Sequence, residues 1–305
     1  MLEFRNYRPG DEEGIVDLLS LVFKEKRGLD WWRWYYWDNP AGRGLIKLAL
    51  DRGRIVGHRA LVPYQIWNGS DYTIACQATD AATHPDYQGR GIFRRLTREI
   101  LEEARERGWA FVFSFPNEKS LPINQGLGWI PVQKLRKWVK PLLGLPFTGK
   151  KKCPLKERDH LAADFDRLWE LYGPGPYSGI KKDASYLRWR FQNTPQGRDY
   201  ITLVLEKGGG VQAYSIVKIV ENRGHLMEFM PGKEDPLILL RGVEDYLAQR
   251  GARFITMWTL PELPVPPWRL GYLPNPRQAG VLAFRPLKDN LPPSWRVTPG
   301  DADYS

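Results

Sequence analysis

A glycine-bearing turn at residues 83–93, Thr-His-Pro-Asp-Tyr-Gln-Gly-Arg-Gly-Ile-Phe, stands between a predicted strand and a predicted helix. The strand is residues 72–82, and the helix is residues 92–107, whose apolar side chains recur at three- and four-residue intervals. Gly108 then ends the helix. A helix start offers unpaired backbone N–H groups and the positive end of the helix dipole, and glycines let an anion approach those donors closely. The sequence therefore predicts an anion site here, of the kind that holds a pyrophosphate.

The turn resembles a signature of a known enzyme family. Gln88, Gly91 and Phe93 fall on the fixed positions of Gln/Arg-x-x-Gly-x-Gly/Ala, which the GNAT family of acetyl-coenzyme A dependent N-acetyltransferases carries after a strand. Phe93 stands where the family has a small residue, so the resemblance implies a loop that approaches the coenzyme differently at that point.

The segment after the helix strengthens the resemblance. Residues 109–115 are predicted to form a strand, and residues 116–117, Pro-Asn, lead through a helix-like piece to Gly-Leu-Gly-Trp at 126–129. This ending is similar to the family's Leu-Gly-aromatic pattern. In element order the resemblance covers residues 1–135, and its specific motifs lie between residues 77 and 129.

The resemblance implies acetyl-CoA as the cosubstrate and assigns it a binding site. Backbone N–H groups of the turn would hold the pyrophosphate, the end of the preceding strand would hold the pantetheine, and two side chains after the next strand would contact the pantetheine arm. The expected coenzyme contacts are Ala81, Ala82, Thr83, Gln88, Gly89, Arg90, Gly91, Ile92, Phe93, Asn117 and Ser120. For Asn117, a helix cap after Pro116 is the alternative role.

The candidate catalytic residues are fewer. Asp80 lies near the end of an otherwise apolar strand, where family members often carry a group that faces the amine, so it is a possible base. Its alternative is to bind a substrate ammonium or a structural arginine. Asn124 stands seven residues after Asn117, where many family members have a tyrosine acid. Tyr87 is the remaining candidate acid, and packing on the loop is its alternative.

The chain also repeats itself. Residues 32–43 align with residues 187–198 at an offset of 155, with Arg, Trp, Pro, Gly and Arg recurring, and the same register continues through a strand-turn-strand pattern. Residues 127–131 match residues 270–274 at an offset of 143. The second copy is therefore shorter by 155 minus 143, that is 12 residues.

The shortened interval is the one that contains the glycine turn in the first copy. In the second copy, residues 231–236 read Pro-Gly-Lys-Glu-Asp-Pro and lack the phosphate cradle. We therefore expect an α/β fold, with an α+β mixed sheet, built from two tandem GNAT-like domains, each a twisted mixed sheet flanked by helices. The predicted bounds are 1–140 for a coenzyme-binding domain, 141–158 for a basic linker, 159–290 for a degenerate domain and 291–305 for a C-terminal tail.

Composition limits which binding partners and which cellular compartment are expected. The formal net charge is +10, but the basic residues are densest at 134–158, where a solvated linker is expected, and no nucleic-acid recognition motif is found. Only Cys76 and Cys153 occur, without metal-ligand spacing, which argues against a disulfide framework and a metal site and favours the cytoplasm. No segment approaches the apolar length that a membrane span needs.

Aromatic residues crowd positions 31–37, in the expected second helix. The resemblance implies that the acceptor enters beside this helix. Trp34 and Trp37 are candidate substrate contacts because an indole can stack on a sugar or aryl ring. Their helical spacing, and the recurrence of Trp34 as Trp189, favour a role in the core.

Together these features predict an acyl-CoA dependent N-acetyltransferase, monomer or homodimer, that acts on a primary amine of a small molecule such as an amino sugar or amino acid. Two alternatives stay open. Asn124 in place of tyrosine and the missing second cradle suit a non-catalytic acyl-CoA-binding protein. The two-domain layout and basic surface suit an aminoacyl-transferring tandem GNAT enzyme, which would need affinity for charged tRNA.

Overall fold

The chain forms two compact units. The computed structural model describes residues 1–116, 120–142, 155–173, 175, 177–195, 200–275, 280–288 and 294–302. The first unit is Met1–Val132 with a later stretch that begins at Leu282. The second unit comprises Gln133–Asn193, the stretch that ends at Val281, and the described C-terminal residues from 294 onwards.

Helices flank a mixed sheet in the first unit. Its helices are α1 (Glu12–Phe23), α2 (Leu29–Tyr36), α3 (Ile92–Glu106) and α4 (Ser120–Gln125). Its sheet contains β1 (Glu3–Asn6), β2 (Leu45–Asp51), β3 (Arg54–Trp67), β4 (Tyr72–Thr83), β5 (Phe111–Ser114), β6 (Ile130–Leu135) and, from the later stretch, β15 (Gly280–Pro286). The residues of β6 from Gln133 onwards and those of β15 up to Val281 belong to the second unit. The strand order is β1-β2-β3-β4-β5-β15-β6. The pairs from β1 to β4 are antiparallel, and β4 and β5 are parallel.

The second unit repeats this plan. Its helices are α5 (Asp164–Tyr172), α6 (Ala184–Leu187), extended by a wider turn at Arg188–Gln192, and α7 (Pro236–Gln249). Its strands are β7 (Lys137–Pro141), β8 (Lys156–Glu157), β9 (Gly179–Ile180), β10 (Tyr200–Lys207), β11 (Gly210–Val220), β12 (Arg223–Met230), β13 (Phe254–Trp258) and β14 (Leu273–Pro274). The sheet order is β14-β7-β13-β12-β11-β10-β8, with β12 and β13 parallel.

The predicted fold class is confirmed, because each unit has a mixed sheet flanked by helices and runs helix, helix, three antiparallel strands, helix, parallel strand. β7 and β15 are distributed differently from the predicted bounds of 1–140 and 159–290. β7 pairs with β13 in the second sheet, and β15 pairs with β5 in the first. A sequence repeat reports which segments correspond but not which sheet edge a terminal strand joins. The tandem-domain bounds therefore stay a prediction.

The helix that follows the glycine turn, α3, packs on the sheet through one apolar face. Ile100, Leu101 and Ala104 of α3 are buried in one cluster with Leu61 and Val112 of the sheet. In the second unit, α7 packs in the same way on its own sheet through Leu239, Leu240, Val243 and Leu247. At the start of α3, Ile92 and Leu96 are buried with Ala49 and Val56 of the sheet, and this packing positions the turn before the helix.

Two features are missing from the described part of the chain. None of its helices is long and apolar enough to cross a membrane, and α3, at 15 residues, is the longest. The described side chains include no group of three or more His, Cys, Asp or Glu placed to hold a metal ion.

Gly57 is the point on β3 where α3 approaches the sheet most closely. A Cβ at this position would lie 2.6 Å from Cγ2 of Ile92 and 3.0 Å from Cβ of Ala49. We expect Gly57→Ala to lower the free energy of unfolding by about 1–3 kcal/mol, since neither the helix nor the strand can move aside cheaply. Urea denaturation followed by circular dichroism measures the change.

The control for this prediction is Gly126→Ala, whose added Cβ would meet its nearest atom at an ordinary 3.5 Å. Equal stability changes in the two variants would contradict the close approach at Gly57.

Candidate functional site

The turn before α3 presents a row of free backbone donors. Gly89 and Gly91 adopt left-handed conformations, with φ of +77° and +75°, and a Cβ added at either would meet nothing within 4 Å. Gly91 is the N-cap of α3. Within the described part of the chain, the backbone N–H groups of residues 89–94 have no protein acceptor. The turn therefore exposes several donors at the positive end of a helix dipole, an arrangement suited to an anion.

Side-chain contacts hold this turn in place. The Tyr87 hydroxyl donates to the Asp51 carboxylate at 2.7 Å, and this hydrogen bond raises the pKa of Tyr87. Arg54 donates to Nε2 of the buried His84 at 2.8 Å. Arg90 lies 4.8 Å from the Tyr87 ring and donates to the backbone of the turn. Tyr87, named above as a candidate acid, thus anchors the turn to the β2–β3 hairpin.

β4 and β5 diverge after a short parallel pairing. Among the described residues they pair only at Cys76–Val112 and Gln77–Phe113. Beyond these pairs, the backbone of β4 at residues 78–83 has no described partner on the β5 side. This free edge includes the three predicted pantetheine contacts at residues 81–83, and it can accept an extended ligand as an added strand.

A β-bulge lies on the opposite edge of the same segment. The β3–β4 ladder shifts register between His58 and Ala60, so that Asp80 and Ala81 together oppose Arg59. Asp80 has φ of +47°, a left-handed conformation that Asp tolerates better than most residues. The bulge turns the Asp80 side chain towards the helices α1 and α2.

The Asp80 carboxylate is fully engaged in this position. Arg27 donates to its Oδ1 at 2.5 Å, and Tyr36 and Thr79 donate to its Oδ2 at 2.5 and 3.1 Å. The Arg27 and Asp80 side chains are only 14% and 7% exposed. Three roles were predicted for Asp80: base, partner of a substrate ammonium, and partner of a structural arginine. This geometry favours the last.

Arg27 and Tyr36 are site residues that the sequence reading missed. Burial alone would lower the pKa of Arg27, but the charge of Asp80 raises it overall. The Arg27 guanidinium also lies 4.2 Å from the Trp31 ring. The repeat held a signal for it, because Lys182 follows Arg27 by the same 155 residues that separate Arg33 from Arg188.

His58 is a second buried group beside the bulge. Its Nδ1 lies 2.7 Å from the carbonyl oxygen of Asp80, and because a carbonyl only accepts, Nδ1 carries the proton. Nε2 is then a bare acceptor, buried and without a described partner. Burial lowers the pKa of His58 from 6.5 to about 4, so the ring is neutral at pH 7.

Phe93 has a packing partner that accounts for its size. Arg59 is buried, and its guanidinium carbon lies 5.6 Å from the centroid of the Phe93 ring. Burial lowers the pKa of Arg59 to about 10. The aromatic face supports a cation that the interior otherwise solvates poorly, which a glycine or alanine at this position would not do.

Other predicted site residues fall in different settings. Trp34 is buried within the aromatic cluster, and Trp37 stacks on Trp32 at 5.7 Å under the Arg43 guanidinium, so both contribute to packing. Asn117 lies outside the described residues. Ser120 begins α4, and Asn124 on the same helix is buried.

The corresponding helix start in the second unit, which lies within the described residues, lacks the row of free donors. α7 begins with Pro236, which has no N–H, and its N-cap Asp235 accepts from the N–H of Leu237 at 2.9 Å. A carboxylate therefore occupies the helix start where the first unit has glycine. An anion would meet like charge and an engaged donor there.

The second unit nevertheless repeats the ion pair. Lys182, just before α6, donates to Glu228 of β12 at 2.6 Å, beside a register shift between β11 and β12. Asp301 and Thr298 from the C-terminal residues also contact the ammonium. Burial alone would lower the pKa of Lys182, but the charges of Asp301 and Glu228 raise it. Both units thus pair a cation that precedes a helix, α2 or α6, with a carboxylate on a strand, β4 or β12.

Comparisons with known proteins agree with this geometry. Residues 3–132 match the family model described as acetyltransferase (GNAT) domain. The L-amino acid N-acyltransferase MnaT of Escherichia coli K12 is 25% identical over 100 residues, which are 32% of this chain and 56% of that relative. The match thus spans little more than half of the relative's length.

Solved structures share the fold over nearly the whole chain. A probable N-acyltransferase of unknown function from Enterococcus faecalis superposes with a TM-score of 0.74, at 10% identity, over 94% of this chain and 73% of that one. A GCN5-related N-acetyltransferase from Anabaena variabilis gives 0.72, at 12% identity, over 94% and 73%. At these identities the likeness is one of fold.

The ion pair at the bulge predicts a stability effect. Asp80→Asn keeps a residue that tolerates the left-handed backbone but leaves the Arg27 charge unpaired, and we expect it to lower the free energy of unfolding by about 3 kcal/mol. Urea denaturation measures the loss. The control is Glu102→Gln, which breaks an exposed pair with Arg105 and should cost less than about 1 kcal/mol. If Asp80→Asn left stability intact but abolished the acid limb of a pH–rate profile, Asp80 would be the base instead.

His58 predicts a pH effect of defined sign. Its folded pKa lies below its unfolded value, so its contribution is present above about pH 6.5 and is lost as pH falls towards 4, by at most about 3 kcal/mol. Unfolding free energies measured between pH 4 and 7 should fall less steeply in His58→Gln than in the wild type. His160→Gln, at an exposed position, should keep the wild-type slope. A His58→Gln slope equal to that of wild type would contradict the assignment.

Proposed function

We propose that this chain, whose residues 3–132 match the model of a GNAT acetyltransferase domain, is an enzyme that transfers acetyl from acetyl-CoA to a primary amine of a small molecule. The observation that carries the proposal is the row of free backbone N–H groups at residues 89–94, at the start of α3. A pyrophosphate bound there would meet several donors and the helix dipole at once.

The coenzyme would lie along a continuous path. Its pyrophosphate would contact the turn from Gln88 to Phe93, with Arg90 adding a positive charge. Its pantetheine would run along the free edge of β4 at residues 81–83, as an added strand, and reach Ser120 on α4. The thioester would then lie near the bulge, where an acceptor amine could reach its carbonyl carbon.

The acetyl group can pass directly to the amine without a covalent bond to the protein. The nitrogen of a neutral amine attacks the thioester carbonyl carbon, the C–S bond breaks, the nitrogen loses a proton, and the thiolate gains one. Because Arg27 and Tyr36 already engage Asp80, we assign the amine proton to solvent water. The value of kcat/KM should then follow the ionisation of the substrate amine as pH rises.

An amino acid or amino sugar is the proposed acceptor. The name of the MnaT relative specifies L-amino acids, which supports an amino acid-like amine. The buried free Cys76 accords with a reducing compartment, and we place the enzyme in the cytoplasm as a monomer or homodimer.

A non-catalytic acyl-CoA-binding protein is the second candidate. The observation that favours it is Asn124, buried on α4 at the position where the resemblance leads one to expect a tyrosine acid. Tight binding of acetyl-CoA without release of free thiol on any amine would support this candidate. Thiol release that depends on an added amine would exclude it.

Calorimetric titration with acetyl-CoA tests the turn directly. We expect micromolar binding by the wild type and its loss in Gly91→Glu, because the new side chain places a negative charge among the phosphate donors. The control is Gly251→Glu, at a glycine with similar φ of +84° and the same open surroundings, in the second unit. Its backbone strain is matched, so it should bind acetyl-CoA normally. No binding by the wild type, or equal loss in both variants, would contradict the proposal.

A further inference from the structure

The second unit contains a cleft that the acetyl-transfer chemistry does not use. It measures about 500 Å³ and lies between the start of β7 and the loop that follows β13. This volume falls within the range of small-molecule sites, roughly 300–1,000 Å³.

The walls of the cleft are rigid. Trp138 forms part of the floor, is 3% exposed, and donates from Nε1 to the Thr259 hydroxyl at 2.9 Å. A proline-rich segment, residues 261–267, also lines the cleft, and each proline in it fixes its own φ. Leu135 and Val265 add apolar surface. A ligand would therefore enter a largely preformed site and order little of the protein.

The mouth of the cleft combines an exposed indole with positive charge. Trp268 is 59% exposed, and its ring centroid lies 6.0 Å from that of Trp138 at an angle of 37°. Arg136 lies 5.7 Å from the Trp138 ring, and Lys134 also lines the mouth. The described lining residues include no carboxylate, and Glu262 of the same loop is paired with Arg296 instead.

We propose that this cleft binds a small planar aromatic ring that carries a phosphate or carboxylate group. The ring would stack on Trp268, and the anionic group would pair with Arg136 and Lys134. This site differs from the acetyl-CoA site in both place and chemistry, because it uses side chains of the second unit rather than backbone donors of a helix start.

The test uses two defined probes, adenosine 5′-monophosphate and 2-naphthoate, titrated into full-length Gly91→Glu protein. That background excludes binding of the nucleotide at the turn. We expect saturable binding of at least one probe, weakened about tenfold or more by adding Trp268→Ala. Adding Arg136→Gln should weaken the anionic probe but not its uncharged counterpart, adenosine or 2-naphthol.

Arg269→Gln is the matched control, since this exposed arginine neighbours Trp268 but does not line the cleft. It should bind the probes like its parent, and circular dichroism verifies that each variant is folded. No binding of either probe would overturn the proposal, as would binding unchanged by Trp268→Ala. Equal affinity for charged and uncharged probes would overturn the anionic part.

Discussion

The ion pair between Arg27 and Asp80 is the interaction on which the first unit's site depends. It joins the segment before α2 to the bulge of β4, at the place where β4 has already left β5. Both charges are largely buried, so either alone would be costly, whereas together with Tyr36 they form a satisfied polar group. The pair thus fixes the bulge, and the bulge fixes where an acceptor could meet the end of the free strand edge.

Comparison of the two units distinguishes the residues that support the fold from those proposed to bind a ligand. The second unit keeps a buried cation–carboxylate pair, Lys182 with Glu228, between the same two kinds of element. It does not keep the glycine turn, because Asp235 and Pro236 close the start of its helix. What both units share is therefore structural, whereas the turn proposed to bind an anion precedes α3 of the first unit and has no counterpart at the described start of α7. Asp80 belongs with the shared part.

Local signals in the sequence were sufficient wherever one segment decides its own structure. The turn at residues 83–93, the helix after it and the order of elements in both copies were readable, because glycine conformation and apolar periodicity are local properties. The partners of Asp80 were not readable, since Arg27 is 53 residues away and only the packed sheet brings them together. His58 was not predicted as a site residue for the same reason. A bulge places it beside Asp80, and apolar periodicity does not report a bulge.

The sequence by itself determined the fold class, the repeat and the glycine turn before α3, because each is specified by short-range conformation and patterning. Only the tertiary structure decided that Tyr87 anchors the turn, that Phe93 supports the buried Arg59, that β7 pairs with β13, and that β15 pairs with β5. It also decided that Trp138 and Trp268 face one cleft. Such arrangements depend on long-range packing and on the desolvation of charges, and neither exists until the chain is folded.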